Sequence, residues 1–210
     1  VRLCIADPPY LGYASMWYGS EDVSGVDLAG NVAVDNRRRP QAGRSEKSTI
    51  RAPKKADVHP LAHEWDQPER HAQMVASIEA DYDGWAITMN PGNLAQYLAW
   101  VTKPIRVAVW VKPDAMPHNS RPIRSWEPVL LHVPEGRRRA NGRLPIRDYL
   151  IAAKGGSAFA GEKPRAWTRW VLDMLGYEEG DEVTDLFHGS GAVAAEIAQG
   201  VLALDGDGAA

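Results

Sequence analysis

The stretch VRLCIADPPY, residues 1–10, decides how the rest of the chain is read. Residues 1–6 form an apolar run of the kind that makes a strand buried on both faces. Pro8 and Pro9 end it, because neither can donate to a ladder. Asp7 is therefore expected at a strand's carboxyl end. In an open α/β sheet ligands bind at that edge, and the paired prolines restrict the backbone there. A carboxylate, two carbonyls and the Tyr10 ring are thus prepositioned together. A strand-ending turn with an incidental tyrosine accounts for the same four residues, so the rest of the chain has to decide between the two.

Composition sets the outer limits. The chain has 210 residues, 44% of them hydrophobic, which is enough for one well-cored domain spanning 1–210. Its one cysteine, Cys4, falls in the expected buried strand. That excludes an internal disulfide or a cysteine-based zinc cluster and reads as a small core residue in a reducing compartment. No apolar run approaches the ~18 residues of a membrane span, and the first residues lack the pattern of a signal peptide. The expectation is a cytoplasmic protein with no membrane partner. A net charge of -3 and a pI near 6.1 argue against a uniformly basic nucleic-acid binder. Positive charge is concentrated all the same: residues 37–55 carry Arg37, Arg38, Arg39, Arg44, Lys47, Arg51, Lys54 and Lys55, and residues 137–147 carry Arg137, Arg138, Arg139, Arg143 and Arg147. Such runs serve as solvated loops or as phosphate-neutralising clusters.

Beyond Tyr10, residues 11–62 show no sustained periodicity and read as a long mobile loop. Its Tyr13, Met16, Trp17 and Tyr18 would either stack on a base or form a small satellite cluster. Helical spacing is expected over 66–80, 93–101, 165–175 and 191–199. Strands are expected over 84–89, 105–111, 126–133, 182–186 and 201–204, with Pro128 marking an edge or bulge. Strands alternating with helices indicate an α/β fold with a largely parallel sheet, flanking helices and right-handed crossovers. Phe187, His188, Gly189, Ser190 and Gly191 occupy a strand-to-helix turn where glycines let a ligand approach the backbone. The spacing is neither the three-glycine dinucleotide fingerprint nor a phosphate loop. Asp185 and Asp205 sit at expected strand ends, where an acid would accept bonds from an ammonium group or from ribose hydroxyls.

DPPY, then VWVKP at 109–113, SWEPVLLHV at 125–133, GEKP at 161–164 and DLFHGSGAVAAEIA at 185–198 together resemble the DNA amino-methyltransferases in their beta-class motif order. In that order the catalytic motif precedes the S-adenosylmethionine motif. The resemblance implies a Rossmann-like methyltransferase fold, circularly permuted, acting with S-adenosylmethionine on DNA. Asp7 and the Pro8 carbonyl would accept the two hydrogens of a flipped base's exocyclic amine while Tyr10, with Pro9, stacks on its ring. Asp185, Phe187, Gly189, Ser190 and Gly191 would border the cofactor together with Asp7. Lys163 and Pro164 would lie near its methionine portion, and Asp205 would hold its ribose. Residues 135–159 would form a short target-recognition segment. Arg37, Arg38, Arg39, Arg137, Arg138 and Arg139 would hold DNA on the same side of the sheet as Asp7. Adenine is the expected base. The adenine-contacting segment that the family carries ahead of DPPY has no counterpart here, which keeps open a catalytically degenerate subunit that binds cofactor or DNA. Cytosine-N4 or RNA as substrate, and a homodimer or partner subunit, stay open as well.

Overall fold

A computed structural model describes residues 1–18, 61–115, 123–139, 145–154, 163–188 and 191–204. Six strands form one sheet: β1 (Arg2–Ala6), β2 (Gly84–Thr88), β3 (Arg106–Val111), β4 (Trp126–His132), β5 (Tyr149–Ile151) and β6 (Glu182–Asp185), in the order β5-β3-β4-β2-β1-β6. The helices are α1 (Ala14–Tyr18), α2 (Pro68–Asp81), α3 (Leu94–Trp100), α4 (Arg165–Leu175) and α5 (Ala192–Leu204). No helix among the described residues is long and apolar enough to cross a membrane.

The period-2 alternation of strand side chains builds two cores. Leu3 and Ile5 of β1, Ala86 of β2, Ala108 and Trp110 of β3, and Val129 and Leu131 of β4 point to one face. There they meet Trp167, Val171 and Leu175 of α4 and Val193 of α5. Cys4, Ala6, Trp85, Ile87 and Leu130 point to the other face and meet Met74, Val75 and Ile78 of α2 and Tyr97 of α3. Both faces of β1 are fully covered, which is why its sequence is a continuous apolar run. Cys4 is buried, and burial together with the nearby Asp185 pushes its thiol up to about 12, as befits a core residue rather than a nucleophile.

The expected parallel sheet needs correction in one strand. β4 runs antiparallel to both β2 and β3, whereas β1 pairs in parallel with β2 and β6, and β3 with β5. The sheet is therefore mixed. Pro128 lies within this central strand rather than at an edge or bulge. It sits opposite Val109 of β3, and toward β2 its register partner is Met89, just past the end of that strand, where its carbonyl accepts from the Met89 N–H. The missing proline donor thus falls where the ladder with β2 has stopped.

Residues 201–204 continue α5 instead of forming a last strand. The four-residue run VLAL is too short for periodicity to separate strand from buried helix, and the helix ahead of it simply extends. Within the expected loop over 11–62, α1 forms soon after the Asp7–Tyr10 turn because Asp66 accepts from the Ala14 and Ser15 N–H groups at 2.8 and 2.9 Å. Residues 19–60 lie outside the described residues. β5, which the sequence reading lacks, falls within 135–159 and pairs with the end of β3.

Candidate active site

Asp7 and Asp185 end adjacent strands. Ile5 pairs with Asp185 in register, and the Leu186 N–H bonds the Ile5 carbonyl at 3.1 Å. From this edge the chain after β1 departs toward α2 on one face, and the chain after β6 departs toward α5 on the other. With α2 on one face and α5 on the other, the carboxyl ends of β1 and β6 make a topological switch point, where open α/β sheets form the crevice that binds ligands. Asp185 accepts the Phe187 N–H at 3.1 Å, which curls the turn back over the strand end. Burial pushes the Asp185 carboxyl above its ordinary value, against the Phe187 N–H bond and the nearby His188. Gly191 begins the approach to α5 at φ 73°, a left-handed backbone that costs glycine nothing.

One wall of the crevice is aromatic. Phe187 meets Trp65 edge to face at 4.9 Å between centroids. The Trp65 carbonyl lies 2.7 Å from Nε2 of the fully buried His71, whose Nδ1 lies 2.5 Å from the Tyr97 hydroxyl. A carbonyl only accepts, so Nε2 carries the proton and the hydroxyl donates to Nδ1. Burial lowers the His71 pKa and keeps the ring neutral. Trp65 and Asp66, adjacent in one 3-10 turn (Ala62–Asp66), thus tie the Phe187 loop and the start of α1 to α2.

The other wall is charged. Lys163, just ahead of α4, has an almost fully buried side chain, and its Nζ lies 2.9 Å from Asp7 Oδ2, 3.2 Å from Glu127 Oε2 and 3.4 Å from the Tyr10 hydroxyl. Glu127 Oε1 in turn holds Lys112 Nζ at 2.6 Å. The rings of Tyr10, Trp110 and Trp167 stand 5.5 to 5.7 Å from the Lys163 ammonium, within cation–π range. Burial alone would neutralise this lysine, but Asp7, Tyr10 and Glu127 hold its pKa well above the ordinary value. Burial likewise drives the Asp7 carboxyl up, with Lys163 as the main opposing charge and Glu127 adding to the rise. For Glu127, burial is outweighed by Lys163 and Lys112, and its pKa falls to about 2. Asp7 keeps 29% of its side chain exposed while its Oδ2 is anchored on Lys163.

The structure thus gathers Asp7, Pro8, Pro9, Tyr10, Lys163, Pro164, Asp185, Phe187 and Gly191 at one edge of the sheet. Lys163 points its ammonium at Asp7, and Pro164 is the N-cap residue of α4. Gly189, Ser190, Asp205, Arg37, Arg38 and Arg39 lie outside the described residues.

Arg137, Arg138 and Arg139 belong elsewhere, and their expected place beside Asp7 is corrected. They follow the carboxyl end of β4, and because β4 is antiparallel that end lies at the edge opposite Asp7, with His132 beside Trp85 at the start of β2. Arg137 is engaged there with both oxygens of Asp181 and, at 2.8 Å, with the Gly176 carbonyl. Arg138 donates Nε to the Val133 carbonyl, and with Arg106 and Arg139 it borders a cleft of about 540 Å³ remote from the crevice.

Sequence reading missed Glu127 and Lys112 as site residues. Alternation from Val129 and Leu131, and from Ala108 and Trp110, puts both on the face of Lys163. Only the direction of β4 shows that Glu127 belongs at the Asp7 edge.

No family model matches the chain, and no curated protein does. Among solved structures, the chain is similar to one described as the crystal structure of the M1.HpyAVI–SAM complex. The TM-score is 0.51 at 14% identity, and the match covers 95% of this chain and 78% of that one. The likeness is one of fold.

Proposed function

We propose that the chain is an S-adenosylmethionine-dependent methyltransferase that modifies the exocyclic amine of a nucleic-acid base, with adenine in DNA as the substrate. The observation that carries this reading is the placement of Asp7-Pro8-Pro9-Tyr10 at the switch-point crevice, beside Asp185 and Phe187. The fold likeness to a structure solved with SAM supports it.

The residues present fit such a cofactor: the crevice offers a carboxylate for hydroxyl or ammonium donors, an aromatic edge, and a turn at Gly191 that no side chain among the described residues crowds. S-adenosylmethionine, when bound, would supply an electrophilic methyl group on a sulfonium. The chain's own contribution is to make a poor nucleophile usable. A base's exocyclic nitrogen delocalises its lone pair into the ring, and acceptors that bind both N–H groups favour a more tetrahedral nitrogen with the lone pair free. Asp7 meets Lys163 through Oδ2, which leaves Oδ1 for one amine hydrogen, and the Pro8 carbonyl accepts the other. Tyr10 offers its ring to the flipped base.

The test is transfer of labelled methyl from S-adenosylmethionine to DNA by the purified chain, with the product base identified. N6-methyladenine supports the reading, N4-methylcytosine corrects the base, and binding without transfer replaces it with a degenerate subunit. That last reading has its own support in the Lys163 ammonium seated on Asp7.

A further inference from the structure

Four charged side chains from four separate segments line up on one face of the sheet: Asp7 after β1, Lys163 before α4, Glu127 on β4 and Lys112 after β3. The successive contacts are 2.9, 3.2 and 2.6 Å. Their signs alternate, so the row is neutral as a whole. Its inner members are buried: Lys163, Glu127 and Lys112 each expose 10% of the side chain or less. The active-site reading uses Asp7 and leaves Glu127 and Lys112 without a role. A buried ion pair is a weak source of stability compared with apolar packing, so two further charges behind Lys163 call for an explanation in the site they adjoin.

A lysine bound to one carboxylate alone would have to leave an uncompensated buried ammonium whenever that carboxylate took another partner. A lysine shared between two carboxylates can lean toward either. We propose that Glu127 and Lys112 are positioning residues for the methyl-transfer site: Glu127 shares the Lys163 ammonium with Asp7, and Lys112 sets how strongly Glu127 competes for it. The inference rests on the reading of Asp7 as the carboxylate that meets the base amine. When the amine meets Oδ1, Lys163 leans toward Glu127 and its hold on Asp7 Oδ2 loosens.

The charged and titratable groups that face Asp7 come from every element around it. Among the described residues they are Tyr10 from its own turn, Tyr18 of α1, Tyr97 of α3, Lys163 ahead of α4, Glu127 of β4 with Lys112 just after β3 behind it, and Asp185 of β6 with His188 beyond. Glu127 and Lys112 can therefore be tested by the protonation of Asp7 itself, without cofactor or DNA. The full chain is labelled with carboxyl-¹³C aspartate, the Asp7 signal is assigned with Asp7→Asn, and its titration midpoint is read by NMR in the parent and two variants. Glu127→Gln, close to isosteric, removes the competing anion and lowers the Asp7 midpoint. Lys112→Met frees Glu127 to draw Lys163 away and raises it. Each shift is about one pH unit, the scale of a neighbouring charge. A loosened site would lower both midpoints toward the ordinary carboxylate value, so the opposite signs separate a charge role from a merely structural one. Unchanged midpoints, or shifts in one direction, overturn the proposal and leave the methyltransferase reading standing. Failure of the parent to transfer methyl overturns that reading without touching the titration.

Discussion

Lys163→Met keeps the side chain's apolar stem, removes its ammonium, and leaves the Asp7 and Glu127 carboxylates facing each other across a buried site. Both now lie within 3.2 Å of the lysine nitrogen. Breaking a buried pair by deleting one partner costs roughly 3–5 kcal/mol. Lys112 still compensates Glu127, and Asp7 is 29% exposed, so the lower end, about 3 kcal/mol, applies near neutral pH. The loss depends on pH with a definite sign. Burial already raises the Asp7 carboxyl above its unfolded value, and Lys163 is the main charge opposing that rise. Without the lysine the folded-state value climbs further, so Asp7 in the variant favours the folded protein when protonated and opposes it when ionised. The penalty is therefore small below the ordinary carboxylate value and grows as pH rises through the new one. Urea denaturation at pH 5 and pH 8 reads this directly. With a slope of about 2 kcal/mol per molar, the midpoint at pH 8 falls by about 1.5 M, and by less at pH 5. A midpoint equal to the parent's at pH 8, or an equal loss at both values, would refute the charge argument.

Two further outcomes concern other parts of the molecule. Burial opposes ionisation of Asp181, but Arg137 and the Glu178 N–H pull its pKa to about 2, against an ordinary value of 3.8. That difference stabilises the fold by about 2 kcal/mol above the ordinary value and is lost as pH falls through about 2. Thermal melts of Asp181→Asn should show the loss at neutral pH and a flatter decline between about pH 4 and pH 2. At the crevice, Gly191→Val forces a β-branched residue into the left-handed backbone at φ 73° and should weaken S-adenosylmethionine binding about tenfold by calorimetry. Unchanged affinity would remove that turn from the cofactor site.

Local signals reached far into this fold and then stopped at a definite kind of information. The VRLCIA strand and its DPPY turn were legible because a doubly buried strand must be apolar throughout and prolines must end it. The α4 helix was legible because Trp167, Trp170, Val171 and Leu175 recur at helical spacing and Gly176 closes it at φ 71°. Strand direction left no such mark. Residues 126–132 read as a strand whichever way they run, and that one unknown misplaced Arg137, Arg138 and Arg139 and hid Glu127. Pairing across distance is equally silent: nothing near Lys163 in sequence announces that its ammonium will sit on a carboxylate 156 residues earlier. β5 is only three residues, Tyr149–Ile151, too short for its apolar run to show a strand's period.

The central claim is that Asp7 acts on the base and not on the methyl donor, and Asp7→Ala tests it most directly. Calorimetry with S-adenosylmethionine and single-turnover transfer of labelled methyl to DNA are measured side by side on parent and variant. The account predicts cofactor affinity within a few-fold of the parent and transfer reduced by about a hundredfold or more, the loss expected when a group that stabilises only the transition state is removed. Equal transfer rates, or a loss of transfer explained wholly by a loss of cofactor binding, would contradict it.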